Sequence, residues 1–329
     1  FGGGAQHGIA QRPWSFWTPL TASVGGVGLA CTVVRIVSLV PHATELLFAL
    51  DLEDEVVGVT HECDFPWQAT ELPKVTRDRL PQGLKAREID EAVKDQLAGG
   101  ESIYELDEFA LRELEPDLIV TQELCTVCAV AHQDVVALAQ TFDRPPEVVC
   151  LDPHTLGEAL GDIRTIAGRT DRKEEGVDLV EELAARIDRV RLASRGLDPV
   201  KVLAVEWLDP LFIGGHWVPQ MIDYAGGQDV LGLPGEHSEQ LPWEVAVAAK
   251  PDVVIVMPCG RNAQEAMDEA LEHYEQIAAL GASRIIAVNA SAYFSRPGPR
   301  LVDGLELLSA VLHPTSGIEA PEGSYLEVR

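Results

Sequence analysis

The chain has 329 residues, with 25 Lys and Arg against 53 Asp and Glu and a formal net charge of −28. A hydrophobic fraction of 46% with 24% charged residues fits a soluble globular protein of about two domains and excludes disordered, collagen-like and coiled-coil classes. Such an acidic chain is repelled by phosphate backbones, and with no Lys/Arg cluster to offset the repulsion, nucleic acid is excluded as a partner.

Residues 1–34 are Gly-rich and aperiodic and are expected to be a tail outside the fold. Within them Leu20 to Val34 is apolar, but Gly25, Gly26 and Gly28 break it and it falls short of the roughly 20 residues a spanning helix needs. Arg12, this run and Ala30-Cys31 also suit a lipoprotein-type signal, with Gly28 three residues before Cys31. Six cysteines, at 31, 63, 125, 128, 150 and 259, are too few in a chain this long for a disulfide scaffold. A cytoplasmic location is therefore favoured, with extracytoplasmic anchoring through Cys31 as the alternative.

Apolar runs rich in Val and Ile then recur, each followed by a helical pattern: residues 35–40, 55–60, 117–121, 147–151, 201–206, 252–257 and 284–289. This rhythm predicts α/β architecture with buried parallel strands and crossover helices. Only helix lies between the fourth strand and the fifth. Thr155 with Glu158 forms a capping box, and Asp171 to Ser194 keeps helical period over about 35 Å. The expected organisation is an N-terminal lobe over 35–154, connecting helices over 155–196, a C-terminal lobe over 197–318 and a tail over 319–329. Two Rossmann-like lobes on one long rigid helix can rock but not hinge widely, with the ligand in the cleft between them.

Ligands of open parallel sheets bind outside the carboxyl ends of the strands. The loops there hold Pro41-His42, His61 to Trp67, Gln122 to Cys128, Asp152 to His154, Trp207 to Pro210, Cys259 to Arg261 and Ser291 to Arg296. Aromatic faces set among a few polar groups suit a large, flat, partly polar ligand, which makes His61, Trp207 and His216 candidates. Neutral imidazole can also ligate cobalt or iron, His216 ahead of His61, although a hydrogen-bonded loop anchor is the preferred reading of each. Gly214-Gly215 before His216 lets backbone approach a ligand closely.

Cys125 and Cys128 form a C-x-x-C after a strand. A metal there would need Cys63, His61 or His132 as well, and no second C-x-x-C exists, so two thiols lining the cleft floor are the preferred reading and no metal is expected. G-x-S-x-G, H-E-x-x-H and G-x-x-x-x-G-K-[ST] are all absent, which speaks against an enzyme.

Several segments, read in order, resemble the family of periplasmic substrate-binding proteins for vitamin B12, siderophores and haem: RIVSLVPHATELLFAL (35–50), ECDFPWQA (62–69), ELEPDLIV (113–120), DPLFIGGHWVPQMIDYAGG (209–227), LPWEVAVAAKPDVVIV (241–256) and NASAYFSRPGPRLVDGLELL (289–308). The nearest likeness is to its cobalamin-binding branch. The resemblance implies non-catalytic binding of a cobalamin-like corrinoid by a monomer that has no cofactor of its own. Phe65 and Trp67 from the first lobe, and Trp217, Phe294 and Arg300 from the second, would face the ring. It also implies an ABC importer as partner, docked through Asp223 and through Asp107 or Glu108, although an insertion over 70–104 departs from the family pattern. Alternatives are a haem or ferric-siderophore binder, or a corrinoid-processing enzyme using Cys63, Cys125, Cys128, His61 and His216.

Overall fold

Strands covered on both faces need no polar side, and the seven apolar runs become seven parallel strands. The computed structural model describes residues 34–81, 83–99, 102–123 and 130–328; the expectations placed on residues 1–33, on Cys125 and on Cys128 lie outside the described residues. The first lobe runs β1 (Ile36–Ser38), α1 (Pro41–Ala49), β2 (Val56–Val59), β3 (Thr76–Asp78), α2 (Ala86–Ala98), β4 (Tyr104–Leu106), α3 (Glu108–Glu113), β5 (Leu118–Gln122), α4 (His132–Ala139) and β6 (Glu147–Leu151). Its main sheet has the order β2-β1-β5-β6, all parallel. The insertion over 70–104 folds as an antiparallel β3–β4 pair carrying α2, and neither of these short strands stands out as an apolar run in the sequence.

The connector is α5 (Leu156–Arg169) and α6 (Lys173–Ala193). The Thr155–Glu158 capping box forms as expected. The two helices are separated at Asp171, which adopts φ +57, and α6 alone spans about 31 Å at 1.5 Å per residue. Gly176 lets them pack closely: a Cβ there would come within 2.4 Å of the Ala167 side chain.

The second lobe runs β7 (Val200–Leu208), β8 (Leu211–Ile213), α7 (Val218–Tyr224), β9 (Gly227–Asp229), α8 (Trp243–Ala249), β10 (Val253–Val256), α9 (Ala263–Glu272), α10 (Tyr274–Ala278), β11 (Arg284–Val288), α11 (Ala290–Tyr293), α12 (Leu301–Leu312) and β12 (Tyr325–Glu327). Its sheet has the order β12-β11-β10-β7-β8, with β9 also parallel to β7. The two outermost strands, β8 and β12, are antiparallel to their neighbours, so residues 319–329, expected as a tail, contribute a strand.

Alternating residues on each strand face opposite sides of the sheet. Ile36, Leu118 and Val120 of the first sheet, and Val202, Ala204, Ile255 and Ile286 of the second, share one continuous core with α5, α6 and α12. Their sequence neighbours Leu203, Val254 and Ala287 fill the outer core of the second sheet, while Val37 and Ile119 fill that of the first. The connector is thus packed into the inner core and does not hang free. Among the described residues no helix is long and apolar enough to cross a membrane.

Candidate functional site

The cleft is organised around a carboxylate that α1 carries into the interior. Glu45 sits in the apolar stretch ATELLFA, and its side chain is only 2% exposed. Unpaired, it would be costly to bury. Arg300, at the start of α12, donates to it from Nε at 2.8 Å and from Nη2 at 2.5 Å. Arg296 lies 3.5 Å from the same carboxylate, pairs with Asp64 and donates to the Glu62 carbonyl. The Arg300 guanidinium also stacks 4.0 Å from the centre of the Phe65 ring. His42 is buried beside this network, and desolvation together with Arg296 pushes its pKa down to about 3, so it is neutral.

Two arginines and two carboxylates from opposite lobes therefore meet and cancel in charge. Next to them lies a cavity of about 320 Å³, lined from the first lobe by Asp64 and Phe65 and from the second by Gly260, Asn262, Glu265, Asn289, Ser291, Ala292 and Arg300. Asn262 and Asn289 are at the wall because each caps a helix, α9 and α11 respectively. Arg261, nearby in sequence, is paired with Glu269 at 2.9 Å.

The sequence-derived candidates divide sharply. Phe65 and Arg300 line the cavity, and Trp67, 69% exposed, stands just beyond Phe65 in the same loop. Trp217 and Phe294 are buried, with the Trp217 indole N–H donating to the Phe294 carbonyl at 2.8 Å; both face the core and neither lines the cavity. Trp207 is half-buried and its indole N–H reaches the Ala86 carbonyl at the start of α2. His61 is held 2.8 Å from the Thr76 hydroxyl with its ring against Tyr104, an anchor for the β3 segment. His216 lies outside the cavity, next to His154 and His237.

Cys63 is buried, with its sulfur 3.1 Å from the hydroxyls of both Thr44 and Thr60. Burial pushes its thiol pKa up, which disfavours the thiolate there. His132 opens α4, and its Nδ1 is buried without a hydrogen-bond partner. Asp107 caps α3 by accepting from the Ala110 amide and lies 3.5 Å from Arg77, whereas Glu108 and, on α7, Asp223 are exposed.

Sequence reasoning missed Glu45 and the insertion's role. A lone carboxylate surrounded by Ala, Leu and Phe in a helix was the available signal for a buried ion pair. Across the insertion, Arg87 pairs with Asp209 through two hydrogen bonds and Lys85 pairs with Glu272, so the start of α2 straps the first lobe to the second.

Two lobes on a long packed helix, with a charge-balanced cleft between them, define a protein built to enclose a ligand. The chain belongs to the periplasmic binding protein family, whose model matches residues 36–290. Among known relatives, the vitamin B12-binding protein of Vibrio cholerae is 23% identical over 280 residues, covering 84% of this chain and 88% of the relative. That of Vibrio parahaemolyticus is 21% identical over 275 residues, covering 83% and 87%. Among solved structures, the periplasmic vitamin B12-binding protein of Vibrio cholerae superposes with a TM-score of 0.62 at 21% identity, covering 86% of this chain and 98% of that one. A periplasmic haem-binding protein from Pseudomonas aeruginosa gives 0.66 at 18% identity, covering 90% and 98%. Membership of a periplasmic family overturns the cytoplasmic location favoured from cysteine usage: unpaired thiols proved a weaker guide to compartment than fold.

Proposed function

We propose that this protein captures a cobalamin-like corrinoid in the interlobe cleft, without altering it chemically, as the substrate-binding component of an ABC-type importer. The observation that carries this reading is charge pairing: each cleft arginine already has a carboxylate partner, Arg261 with Glu269, Arg296 with Asp64 and Arg300 with Glu45. A haem or ferric siderophore brings anionic groups that call for unpaired cations. A corrinoid is ringed by neutral amides, which the Asn262, Asn289 and Ser291 side of the cavity suits. The names of the curated relatives point the same way. A cavity of about 320 Å³ takes in one part of a macrocycle, leaving Phe65 and Trp67 to cover an outer face.

The test is a titration of the protein with aquocobalamin and, separately, with haemin, following tryptophan emission and the visible spectrum together. Saturable quenching by the corrinoid, diminished in Trp67→Phe, with an unshifted cobalt spectrum is expected, because among the described residues no histidine lines the cavity. Quenching by haemin and none by the corrinoid would overturn the reading.

We place importer docking on Glu108 and Asp223. Asp107 is the weaker choice for the first lobe, because its carboxylate is engaged by the α3 cap and Arg77.

A further inference from the structure

At the far edge of the first sheet from β2, the strand whose following loop lines the cavity, three imidazoles converge. His154 follows β6, His216 follows β8 and His237 lies in the loop before α8. One ring nitrogen from each falls within 4.8 Å of the others, and Nε2 of His216 is 3.1 Å from Nδ1 of His237. We propose that His154, His216 and His237 form a binding site for a divalent first-row transition-metal ion, with zinc as the representative ligand and the fourth coordination position open.

The distances suit this chemistry. Two imidazole nitrogens bound tetrahedrally at 2.0–2.1 Å from zinc are about 3.3 Å apart, close to the His216–His237 separation. The remaining gap to His154 is closed by modest rotation of side chains, one of which, His237, is exposed. Imidazole binds only when neutral.

The backbone around the site is fixed rather than fortuitous. The His216 amide donates to the Glu236 carbonyl and the Gly235 amide donates back to the His216 carbonyl, so the two loops pair as a ribbon continuing β8. Gly215 makes this approach possible: a Cβ there would come within 2.3 Å of the Ser238 amide nitrogen. Glu206 ties both loops, accepting from the Gly215 amide and from the Ser238 hydroxyl. His216 itself adopts φ +51, a left-handed conformation that is strained for a non-glycine residue and tends to persist where a site requires it. On the other side, Glu158 accepts from the amides of His154 and Thr155, and the Asp152 carboxylate lies 3.5 Å from Nε2 of His154, the kind of outer partner that orients a metal-binding imidazole.

A metal here would tie the start of the connector to the second lobe, and this inference stands independently of the ligand in the cleft. The test is equilibrium dialysis of the chelator-treated full chain against zinc, with thermal melts and a parallel Co²⁺ titration for geometry. Expected are a single tight zinc per chain, a raised Tm, and the intense visible bands of four-coordinate Co²⁺. His237→Ala, at an exposed position, and His216→Asn, which tolerates the left-handed backbone, should both weaken binding by more than the roughly 10–100-fold that loss of even an outer-shell partner costs. Absence of binding at micromolar zinc, or binding unchanged in both variants, would overturn the proposal.

Discussion

At the scale of single residues, the cleft depends on Glu45. Removing its charge leaves Arg300 and Arg296 buried and under-compensated, so Glu45→Gln should lose about 3 kcal/mol or more of stability in urea unfolding. A smaller effect would mean that Asp64 compensates both arginines. Asp229 offers a different reading of burial. Its Oδ1 accepts from the Leu231 and Gly232 amides, while Oδ2 is buried without a partner. Desolvation, only partly opposed by those two bonds, pushes its pKa up to about 6. A carboxyl raised in the folded state adds stability below its unfolded value of 3.8 that is lost as pH rises through about 6. Asp229→Asn keeps the accepting oxygen and should therefore be more stable at pH 8 by about 1–3 kcal/mol, with a flatter profile from pH 4 to 7, measured by thermal melts across pH. Such pairings are hard to read in sequence because they are long-range: Glu45 meets an arginine 255 positions away. Trp217 and Phe294 illustrate the reverse, since aromatic residues after a strand look like cleft lining until their burial is known.

At the scale of elements, the parallel strands were legible because double burial writes itself as continuous Val and Ile. The strands that pair at the margins were not: β3, β8 and β12 have mixed burial, β4 is half-buried throughout, and all four form only because a neighbour is already in place. The loop carrying His237, GEHSEQ, reads as ordinary polar surface for the same reason. Two predictions belong here. The α2 strap joins the lobes through exposed ion pairs, which contribute little to stability but have to part whenever the cleft opens. The double variant Lys85→Ala, Arg87→Ala should speed ligand release in stopped-flow displacement while shifting Tm by only a degree or two; unchanged release would remove α2 from the path. In the connector, Gly176→Ala forces a methyl against Ala167, and overpacking of this kind costs about 1–3 kcal/mol, read as a lower urea midpoint.

For the whole molecule, the two lobes, their parallel strands and the long helix followed from periodicity, whereas the order of strands within each sheet did not, and the family resemblance anticipated the periplasmic binding protein fold. Compartment did not follow, because cysteine number reports redox environment only when the cysteines are many or clearly paired. A net charge of −28 spread over one chain repels itself. Since the Debye length falls from about 10 Å at 0.1 M to about 3 Å at 1 M ionic strength, Tm should rise with NaCl over that range; a falling Tm would show that the cleft and connector ion pairs outweigh surface repulsion. If Glu108 and Asp223 are the docking acids, Glu108→Lys with Asp223→Lys should abolish stimulation of the importer's ATP hydrolysis while leaving corrinoid quenching intact.

The strand β12 also decides how the protein behaves when shortened. Its backbone covers β11 through the Ile286–Glu327, Ala287–Leu326 and Val288–Tyr325 pairs. Without it, an apolar strand with a free row of amides and carbonyls would border the second sheet, an invitation to pair with another copy of itself. The β12 residues thus act as a guard against self-association, and a version ending before Ser324 should elute earlier than the longer chain in size-exclusion chromatography even while its cleft still takes up ligand.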